Sequence, residues 1–413
     1  MRSHRNLMMT LTELHGFLLH HLLDDVMPFW VRHSIDWQNG GMWTCLADDG
    51  SILSRDKYIW SNARALWAFS ALVNRIASTY GVSAEVQATW RQAAVNQYGF
   101  LKQHGRDANG YWVFVVDETG RVLVGENSIY TDTFAILGLV EYFRMTGDEE
   151  ALSLARETAA SCRERLARPG TYKTAPYPTP PGMKPHGEAM QFSLVFSELG
   201  HELRDTSILA DGLRYGREVL DHFYRADRGV LLEYLGLDNS VWETPEGRTM
   251  VPGHGIESLW FQIQNFRVGD AARARQAAAA MRSCLEKGWD AEYGGLFLGI
   301  DVEGKQPPYW KHAEKKIWWP FTEALCGTLL AYEQLHEDWC LEWYWQVHDW
   351  AFTHFPDREH GEWTQRLDRR GNKIDEVIVL PVKDPFHLPR ALIVAIQTLE
   401  RLTQSGSDVK PGS

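Results

Sequence analysis

Histidines and carboxylates lie in short clusters whose spacing allows acid–base chemistry. A helix would place His254, Glu257 and Trp260 on one face, because each is three residues from the next. His387 lies in another cluster near the end of the chain, and Glu323 lies in a third. Two histidines and two glutamates could either bind a metal ion or transfer protons, since imidazole titrates near neutral pH. The clusters therefore predict a polar site of one of these two kinds.

Aromatic residues are unusually frequent, with 18 Trp, 15 Tyr and 17 Phe in 413 residues. Such rings serve equally well in a thick core and in a cleft that stacks on sugars. Trp260, Trp319 and Phe386 stand within the histidine and glutamate clusters, which favours a sugar pocket. Neither GxGxxG nor GxxxxGK[ST] follows a strand pattern and no GxSxG occurs, so the sequence predicts neither a phosphate loop nor a serine nucleophile elbow.

Charge and hydropathy narrow the class of protein. The chain has 42 basic and 54 acidic side chains, and its formal net charge of −12 argues against nucleic acid as the main partner. Its apolar runs are far shorter than the ~20 residues that span a bilayer, and the N-terminal segment reads as an amphipathic helix instead of a signal peptide. Five cysteines without a CxxC motif indicate reduced thiols. We therefore predict a cytoplasmic protein that binds neither nucleic acid nor a membrane.

A long repeat predicts how the clusters are positioned. A glycine turn, a short strand, a second turn and an apolar helix recur at intervals of roughly 66 residues, with one interval nearly doubled. The copies begin at Gly41, Gly110, Gly229, Gly295 and Gly361. The doubled interval predicts a degenerate copy around Gly170–Met190, which gives six units.

Each unit is predicted to supply two helices of different character. The helix that begins near Thr131 is apolar on nearly all sides, whereas Leu152, Ala155 and Ala159 belong to a single apolar stripe. Six pairs of alternating inner and outer helices close into an all-α (α/α)6 barrel, with short β-hairpins at the end where the inner helices begin. Helix N-termini favour polar ligands, so we expect the active site at that end.

The chain is predicted to form one domain with a short tail. No segment has the composition of an interdomain linker, so residues 1–403 are predicted to be a single barrel domain and residues 404–413 a disordered tail. Residues 169–185 contain six of the seventeen prolines, which predicts an ordered, non-helical loop able to act as a lid.

In this order and spacing, the clusters resemble the N-acylglucosamine 2-epimerase family, which includes cellobiose 2-epimerases and mannose isomerases. The resemblance covers residues from about 20 to 400. It rests on Asp49-Gly50 with Lys57-Tyr58-Ile59-Trp60 and Arg64, Pro252-Gly253-His254-x-x-Glu257-x-x-Trp260, Gly288-Trp289-Asp290 with Gly294-Gly295-Leu296-Phe297, Lys316-Ile317-Trp318-Trp319-Pro320-x-x-Glu323, and Phe386-His387-x-Pro389-Arg390.

The resemblance implies an isomerase that transfers protons without a metal ion or a cofactor. The family's catalytic histidines match His254 and His387, its enediolate-contacting arginine matches Arg64, and its substrate-positioning glutamates match Glu257 and Glu323. The chemistry is consistent, because the C2 proton of an open-chain aldose is removable only if a cation or donor stabilises the developing C1 oxyanion. The remaining substrate-binding candidates in these clusters are Tyr58, Asn62, His186, Met190, Trp260, Trp319 and Phe386.

The resemblance leaves the substrate open. We expect a free sugar, either the N-acetylglucosamine/N-acetylmannosamine pair or the glucose/mannose pair, and a homodimeric enzyme. An aldose–ketose isomerase is the nearest alternative, because the same enediolate reprotonated at C1 gives a ketose. A glycoside hydrolase or lyase of the same barrel, or a non-catalytic binding protein, are further alternatives. Two departures from the family are Phe321, where some members have histidine, and Gly187–Gln191, which lacks the extra histidines of the cellobiose enzymes and isomerases.

Overall fold

Paired helices make up most of the chain in a computed structural model that describes residues 9–404. Within that range the α-helices are α1 (Leu11–His20), α2 (Met27–His33), α3 (Ile59–Leu72), α4 (Ala84–His104), α5 (Ile129–Thr146), α6 (Glu149–Leu166), α7 (His186–Leu203), α8 (Thr206–Glu218), α9 (Pro252–Phe266), α10 (Ala271–Gly288), α11 (Trp318–Leu335), α12 (Asp338–His354) and α13 (His387–Gln404). Three π-helical turns, at His21–Val26, Val73–Ala77 and Val219–Phe223, extend α1, α3 and α8.

The odd-numbered helices from α3 to α13 form an inner ring. Each of them packs on the next, and α13 packs on α3 to close the ring. Helices α4, α6, α8, α10 and α12 each lie outside the inner helix that precedes them, and α1 lies outside α13. The chain is therefore an (α/α)6 barrel, as the repeat predicted. One detail differs, because the sixth outer helix comes from the N-terminus and joins the two ends of the chain.

The hydrophobic pattern explains which helices lie inside. Helix α5 is buried on nearly all sides and begins at Ile129, two residues before the predicted start. Helix α6 buries one stripe that includes Leu152, Ala155, Ala159 and Cys162, and it exposes arginine and glutamate elsewhere. A helix that is apolar on all sides is buried only when other helices surround it, as in the inner ring. A helix with one apolar stripe needs only one neighbouring layer, so it lies outside.

Short strands connect the helices at one end of the barrel. They are β1 (Cys45–Leu46), β2 (Ile52–Ser54), β3 (Lys57–Tyr58), β4 (Val115–Val116), β5 (Val122–Val124), β6 (Met183–Pro185), β7 (Tyr224–Arg225), β8 (Val230–Leu231), β9 (Tyr234–Gly236), β10 (Thr249–Met250), β11 (Ile300–Asp301), β12 (Lys316–Ile317) and β13 (Arg366–Leu367). The strand before an inner helix pairs antiparallel with the next hairpin in β3–β4, β6–β9, β10–β11 and β12–β13.

The strands form a belt around the N-termini of the inner helices. Two pairs of neighbouring units are connected without paired strands. One connection is an isolated bridge between Ser128 and Thr174, and the other is a 2.9 Å hydrogen bond from the Lys383 amide to the Thr44 carbonyl. The degenerate copy that the sequence predicted around Gly170–Met190 is thus a loop followed by β6. The belt fixes the register of neighbouring units and so fixes how the inner helix N-termini face one another.

The repeated glycine allows each hairpin to pack closely on the helices. Gly41 has φ +73°, and a Cβ atom there would lie 2.7 Å from both the Asn62 side chain and the Phe100 ring. Gly295 has φ +77°, and its Cβ would lie 2.9 Å from Trp350. Positive φ and the lack of space each favour glycine, so the repeat marks places where a turn contacts a helix.

Buried lysines hold two of these turns in place. The Lys57 ammonium donates to the Asp36 carboxylate and to the Gly40 carbonyl, both at 2.7 Å. Lys316 makes the equivalent contact with Asp290 at 3.2 Å. A fully buried lysine is tolerated only when it is paired, so these residues serve the architecture of the belt.

The C-terminal helix and the cysteines lie within the described residues. Helix α13 extends to Gln404, and the rest of the predicted tail lies outside the described residues, so the tail and the single-domain boundary stay predictions. All five cysteines lie within residues 9–404, where they are buried and free of disulfide bonds. In the same range, no helix has the length and hydrophobicity needed to cross a bilayer.

Candidate active site

A cavity of about 180 Å³ opens at the end of the barrel where the inner helices begin. It lies inside the strand belt, as the sequence predicted for the site. Its wall combines aromatic rings with carboxylates, arginines and two histidines. The lining residues are Trp60, Arg64, Tyr130, Phe134, Pro176, Tyr177, Pro185, Gly187, Met190, Gln191, Glu233, Tyr234, His254, Glu257, Leu298, Ile317, Trp318, Trp319, Gln365, Arg366, Ile378, Val379, Leu380, Val382, Asp384 and His387.

His254 lies in the first turn of α9 and pairs with a glutamate from a neighbouring hairpin. Its Nδ1 lies 3.1 Å from both carboxylate oxygens of Glu233, which sits between β8 and β9. Burial lowers the pKa of His254, but the Glu233 charge outweighs this effect, so the pKa lies above its usual 6.5. Burial likewise raises the pKa of Glu233, and the His254 charge reverses this and lowers the pKa to about 2. This pair favours an imidazolium.

His387 is the first residue of α13 and also pairs with a glutamate. Its Nδ1 lies 2.8 Å from Oε1 of Glu323, which comes from α11. That carboxylate also accepts hydrogen bonds from Trp260 and from Arg390, both at 2.8 Å. Burial lowers the pKa of His387 to about 3, and the positive charges of Arg64 and Arg390 contribute. This pair favours a neutral imidazole.

Trp319 contacts both imidazoles. Its ring stacks on His254 with a centroid distance of 5.1 Å and lies 5.6 Å from His387 at a tilt of 37°. The two histidines therefore share one aromatic wall of the cavity. With each Nδ1 directed to a carboxylate, Nε2 is the nitrogen that remains for a substrate.

Arg64 places a positive charge in the same cavity. Its guanidinium lies 4.0 Å from the Phe134 ring centroid and 5.0 Å from those of Trp60 and Phe386. Its Nη1 donates a 3.1 Å hydrogen bond to Asp384. Cation–π contacts and one carboxylate hold the side chain in position without enclosing it, since the cavity still reaches it.

A cluster of ligand-type atoms in the wall could in principle hold a metal ion. Glu257, Glu323 and His387 offer atoms within 4.8 Å of one another. However, the guanidinium of Arg390 donates hydrogen bonds to both glutamates. A fixed positive charge therefore already pairs with both carboxylates, and the set fits a buried hydrogen-bonded network better than a metal site.

Half of the residues singled out from the sequence line the cavity. They are Arg64, Met190, His254, Glu257, Trp319 and His387. Glu323 and Trp260 lie behind His387 and hold it, and Phe386 lies beneath Arg64.

Three further candidates lie outside the cavity wall. Asn62 accepts a hydrogen bond from the Met42 amide and donates one to the Tyr58 carbonyl, so Asn62 and Tyr58 connect a hairpin to α3. His186 is fully buried, with its Nδ1 3.9 Å from Glu233. None of these three residues lines the cavity, so their predicted contacts with substrate stay predictions.

Several cavity residues were not predicted from the sequence. Glu233 is the only charged residue in the apolar run Val230–Leu235, and that isolation was a usable signal. Asp384 lines the cavity beside the Phe386–Arg390 motif and had no predicted role, and neither had Arg390, which belongs to that motif and binds Glu257 and Glu323. Tyr177 belongs to the proline-rich loop and stacks on Trp310 with centroids 4.5 Å apart, so this loop does border the cavity.

The fold and the site together define an (α/α)6-barrel enzyme whose cavity contains two histidine–glutamate pairs and an arginine. A family model for N-acylglucosamine 2-epimerase (GlcNAc 2-epimerase) matches residues 41–391. The N-acylglucosamine 2-epimerase of Rattus norvegicus is 31% identical over 398 residues, which cover 92% of this chain and 91% of that protein. The chain therefore belongs to the N-acylglucosamine 2-epimerase family, and it is a sugar 2-epimerase of the isomerase class.

Solved structures agree on the fold. Cellobiose 2-epimerase from Spirochaeta thermophila DSM 6192 superposes with a TM-score of 0.79 at 22% identity, covering 95% of this chain and 98% of that one. A D-mannose isomerase superposes with a TM-score of 0.76 at 19% identity, covering 93% and 97%. At these identities the structures support the barrel architecture.

Proposed function

We propose that the enzyme inverts C2 of a free monosaccharide, either the N-acetylglucosamine/N-acetylmannosamine pair or the glucose/mannose pair. The observation that carries this proposal is the presence of two imidazoles in one cavity, each with its Nδ1 on a carboxylate and both against Trp319. Inversion requires removal of a proton on one face of a planar intermediate and its return on the other, and two imidazoles can supply both steps.

The opposite pKa directions support a definite resting state. His387 is neutral and acts as the base, whereas His254 is protonated and acts as the acid. His387 Nε2 takes the C2 proton, the C–H electrons form a C1=C2 double bond, and C1 oxygen becomes negative. His254 Nε2 then protonates C2 from the opposite face, which restores the carbonyl. Catalysis in the reverse direction exchanges these roles.

The remaining polar residues have supporting roles in this proposal. Arg64 stabilises the negative C1 oxygen, because a positive charge aimed at developing charge lowers the barrier. Glu257, Trp319 and Met190 line the cavity and position the sugar. Glu323 and Trp260 position His387 without contacting substrate.

Proton exchange in D2O tests the proposal. Purified protein is incubated separately with mannose, glucose, N-acetylmannosamine and N-acetylglucosamine, and proton NMR follows the C2 hydrogen. We expect loss of that signal together with the appearance of the C2 epimer for one pair. A ketose as main product would instead identify an aldose–ketose isomerase with the same residues. No exchange with any of the four sugars would contradict the proposal.

We also propose a cytoplasmic homodimer that binds neither nucleic acid nor a membrane. The supporting observations are the free, buried thiols, the net charge of −12 and the extensive outer helix surface. Light scattering after size-exclusion chromatography measures the mass, and a value near the 47.3 kDa of one chain would contradict the dimer.

A further inference from the structure

Asp384 is a buried carboxylate in the cavity wall with one oxygen left over. Its Oδ2 accepts hydrogen bonds from the Ser61 hydroxyl at 2.8 Å and from Arg64 at 3.1 Å. Its Oδ1 is buried and has no hydrogen-bond partner among residues 9–404. The residue as a whole is only 4% exposed, yet it lines the cavity.

A buried carboxylate oxygen without a partner is costly. Such a group loses its hydration and gains nothing in return, so folded proteins normally satisfy it. In the structure the Ser61 hydroxyl and Arg64 Nη1 both bind Oδ2, and neither contacts Oδ1. Because Asp384 lines the cavity, a group that binds in the cavity is the donor expected for this oxygen.

We propose that Asp384 binds the substrate directly, with its free Oδ1 accepting a hydrogen bond from one sugar hydroxyl while Oδ2 holds Arg64. This inference rests on the proposed function of the cavity as a monosaccharide site. Asp384 then accepts a hydrogen bond and Arg64 donates one at neighbouring positions, so the two side chains can bind two oxygens of one sugar.

Charge decides which hydroxyl is contacted. The C1 oxygen becomes negative during the reaction and belongs beside Arg64, because a second negative charge next to Asp384 would be repelled. Asp384 therefore contacts a hydroxyl that stays neutral, at C3 or further along the sugar. This makes Asp384 a residue that determines substrate specificity and positions the sugar against the two imidazoles.

The test compares Asp384→Asn with a matched control. Asp301→Asn alters another buried aspartate on the strand belt, paired with Arg248 at 3.0 Å and equally buried, but outside the cavity wall. With the sugar that the wild type exchanges, we expect Asp384→Asn to lower kcat/KM by about 10- to 100-fold, the loss of one charge-assisted hydrogen bond. Asp301→Asn should leave the turnover of folded protein within about twofold.

Deoxy sugars separate direct contact from a merely structural role. Kinetics are measured for both enzymes on the 3-, 4-, 5- and 6-deoxy analogues of that sugar. We expect one analogue to shrink the deficit of Asp384→Asn by about tenfold or more, because the lost hydroxyl is the partner of Oδ1. An equal deficit with every analogue would overturn the proposal, since Asp384 would then act only through Arg64 or through stability.

Two further measurements keep the result decisive. If Asp384→Asn does not fold, Asp384→Glu keeps the charge beside Arg64 but displaces the free oxygen, and the same selective loss is expected. If the wild type exchanges no C2 proton, the proposed function fails, and tryptophan fluorescence then measures sugar affinity directly. The contact is supported if Asp384→Asn binds the sugar more weakly than the wild type does and this difference disappears with one deoxy analogue. Equal affinities of the two proteins for the sugar overturn it.

Discussion

The two histidine–glutamate pairs of the cavity look alike in composition and differ in charge state. His254 and His387 each direct Nδ1 to a carboxylate at 3.1 Å and 2.8 Å, yet the pKa of His254 is raised and that of His387 is lowered to about 3. The two pairs differ in the residues that contact the glutamate of each pair. Glu323 also accepts hydrogen bonds from Trp260 and from Arg390, whose positive charge opposes its own, whereas within residues 9–404 Glu233 accepts none from an arginine or lysine.

This comparison teaches that a carboxylate beside a histidine does not by itself fix the charge of the imidazole. The pKa depends on how much of the carboxylate charge remains unopposed and on how deeply the ring is buried. An epimerase benefits from the contrast, because a neutral and a protonated imidazole in one cavity form a ready base and acid. Three experiments test whether the two pairs differ in this way.

The largest expected effect follows removal of either imidazole. His254→Asn and His387→Asn should each reduce C2 proton exchange by about 10²- to 10⁴-fold, because each removes one of the two proton-transfer groups. Proton NMR in D2O measures the exchange. His20→Asn, which alters an exposed histidine on α1, serves as the control and should not change the rate. Near-normal exchange by both cavity variants would refute the two-histidine assignment.

A smaller effect is expected from removing the guanidinium that sets the two pairs apart. Arg390→Met leaves Glu257 and Glu323 buried without their cation, so the free energy of unfolding should fall by about 3–5 kcal/mol in urea titrations. The pKa of His387 should also rise, because a positive charge that lowers it is gone. Arg55→Met, which removes an exposed pair with Glu118, should cost at most about 1 kcal/mol. An equal decrease in the free energy of unfolding of the two variants would contradict a stabilising role for the Arg390 network beside His387.

The smallest effect is a displacement of the pH profile. Glu233 raises the pKa of His254, so Glu233→Gln should lower that pKa. The decline of kcat/KM at high pH, where His254 loses its proton, should then move to lower pH. Glu362→Gln, which removes another buried carboxylate bound to Lys383 instead of a histidine, is the matched control and should leave the limb in place. An unmoved limb in the Glu233 variant would mean that another group is the acid.

The sequence predicted the architecture because the fold is built from local patterns. A helix that is apolar all round and a helix with one stripe are distinguishable in a few turns of sequence, as α5 and α6 are. The glycine turns of the hairpins are equally local, since Gly41 and Gly295 need positive φ whatever surrounds them. The partner of α13 could not be found in this way, because α1 comes from the opposite end of the chain.

Candidate site residues were predictable only in part. The histidines belong to recognisable clusters, and both line the cavity. Tyr58 and Asn62 belong to an equally clear cluster, yet they hold a hairpin on α3 instead of facing the cavity. A cluster shows that side chains share a neighbourhood, but the orientation of each one depends on the pairing of strands from different units.

The sequence alone determined the helix pairs, the belt of hairpins and the two histidines at helix N-termini, because each rests on residues close together in the chain. The closed barrel sets which carboxylate contacts which imidazole and where Arg390 and Asp384 lie. His387 and Glu323 are 64 residues apart, and Arg390 and Glu257 are 133 apart. Electrostatic interactions act over a few ångströms in space, so the charge state of each histidine is set by the closed ring of six units.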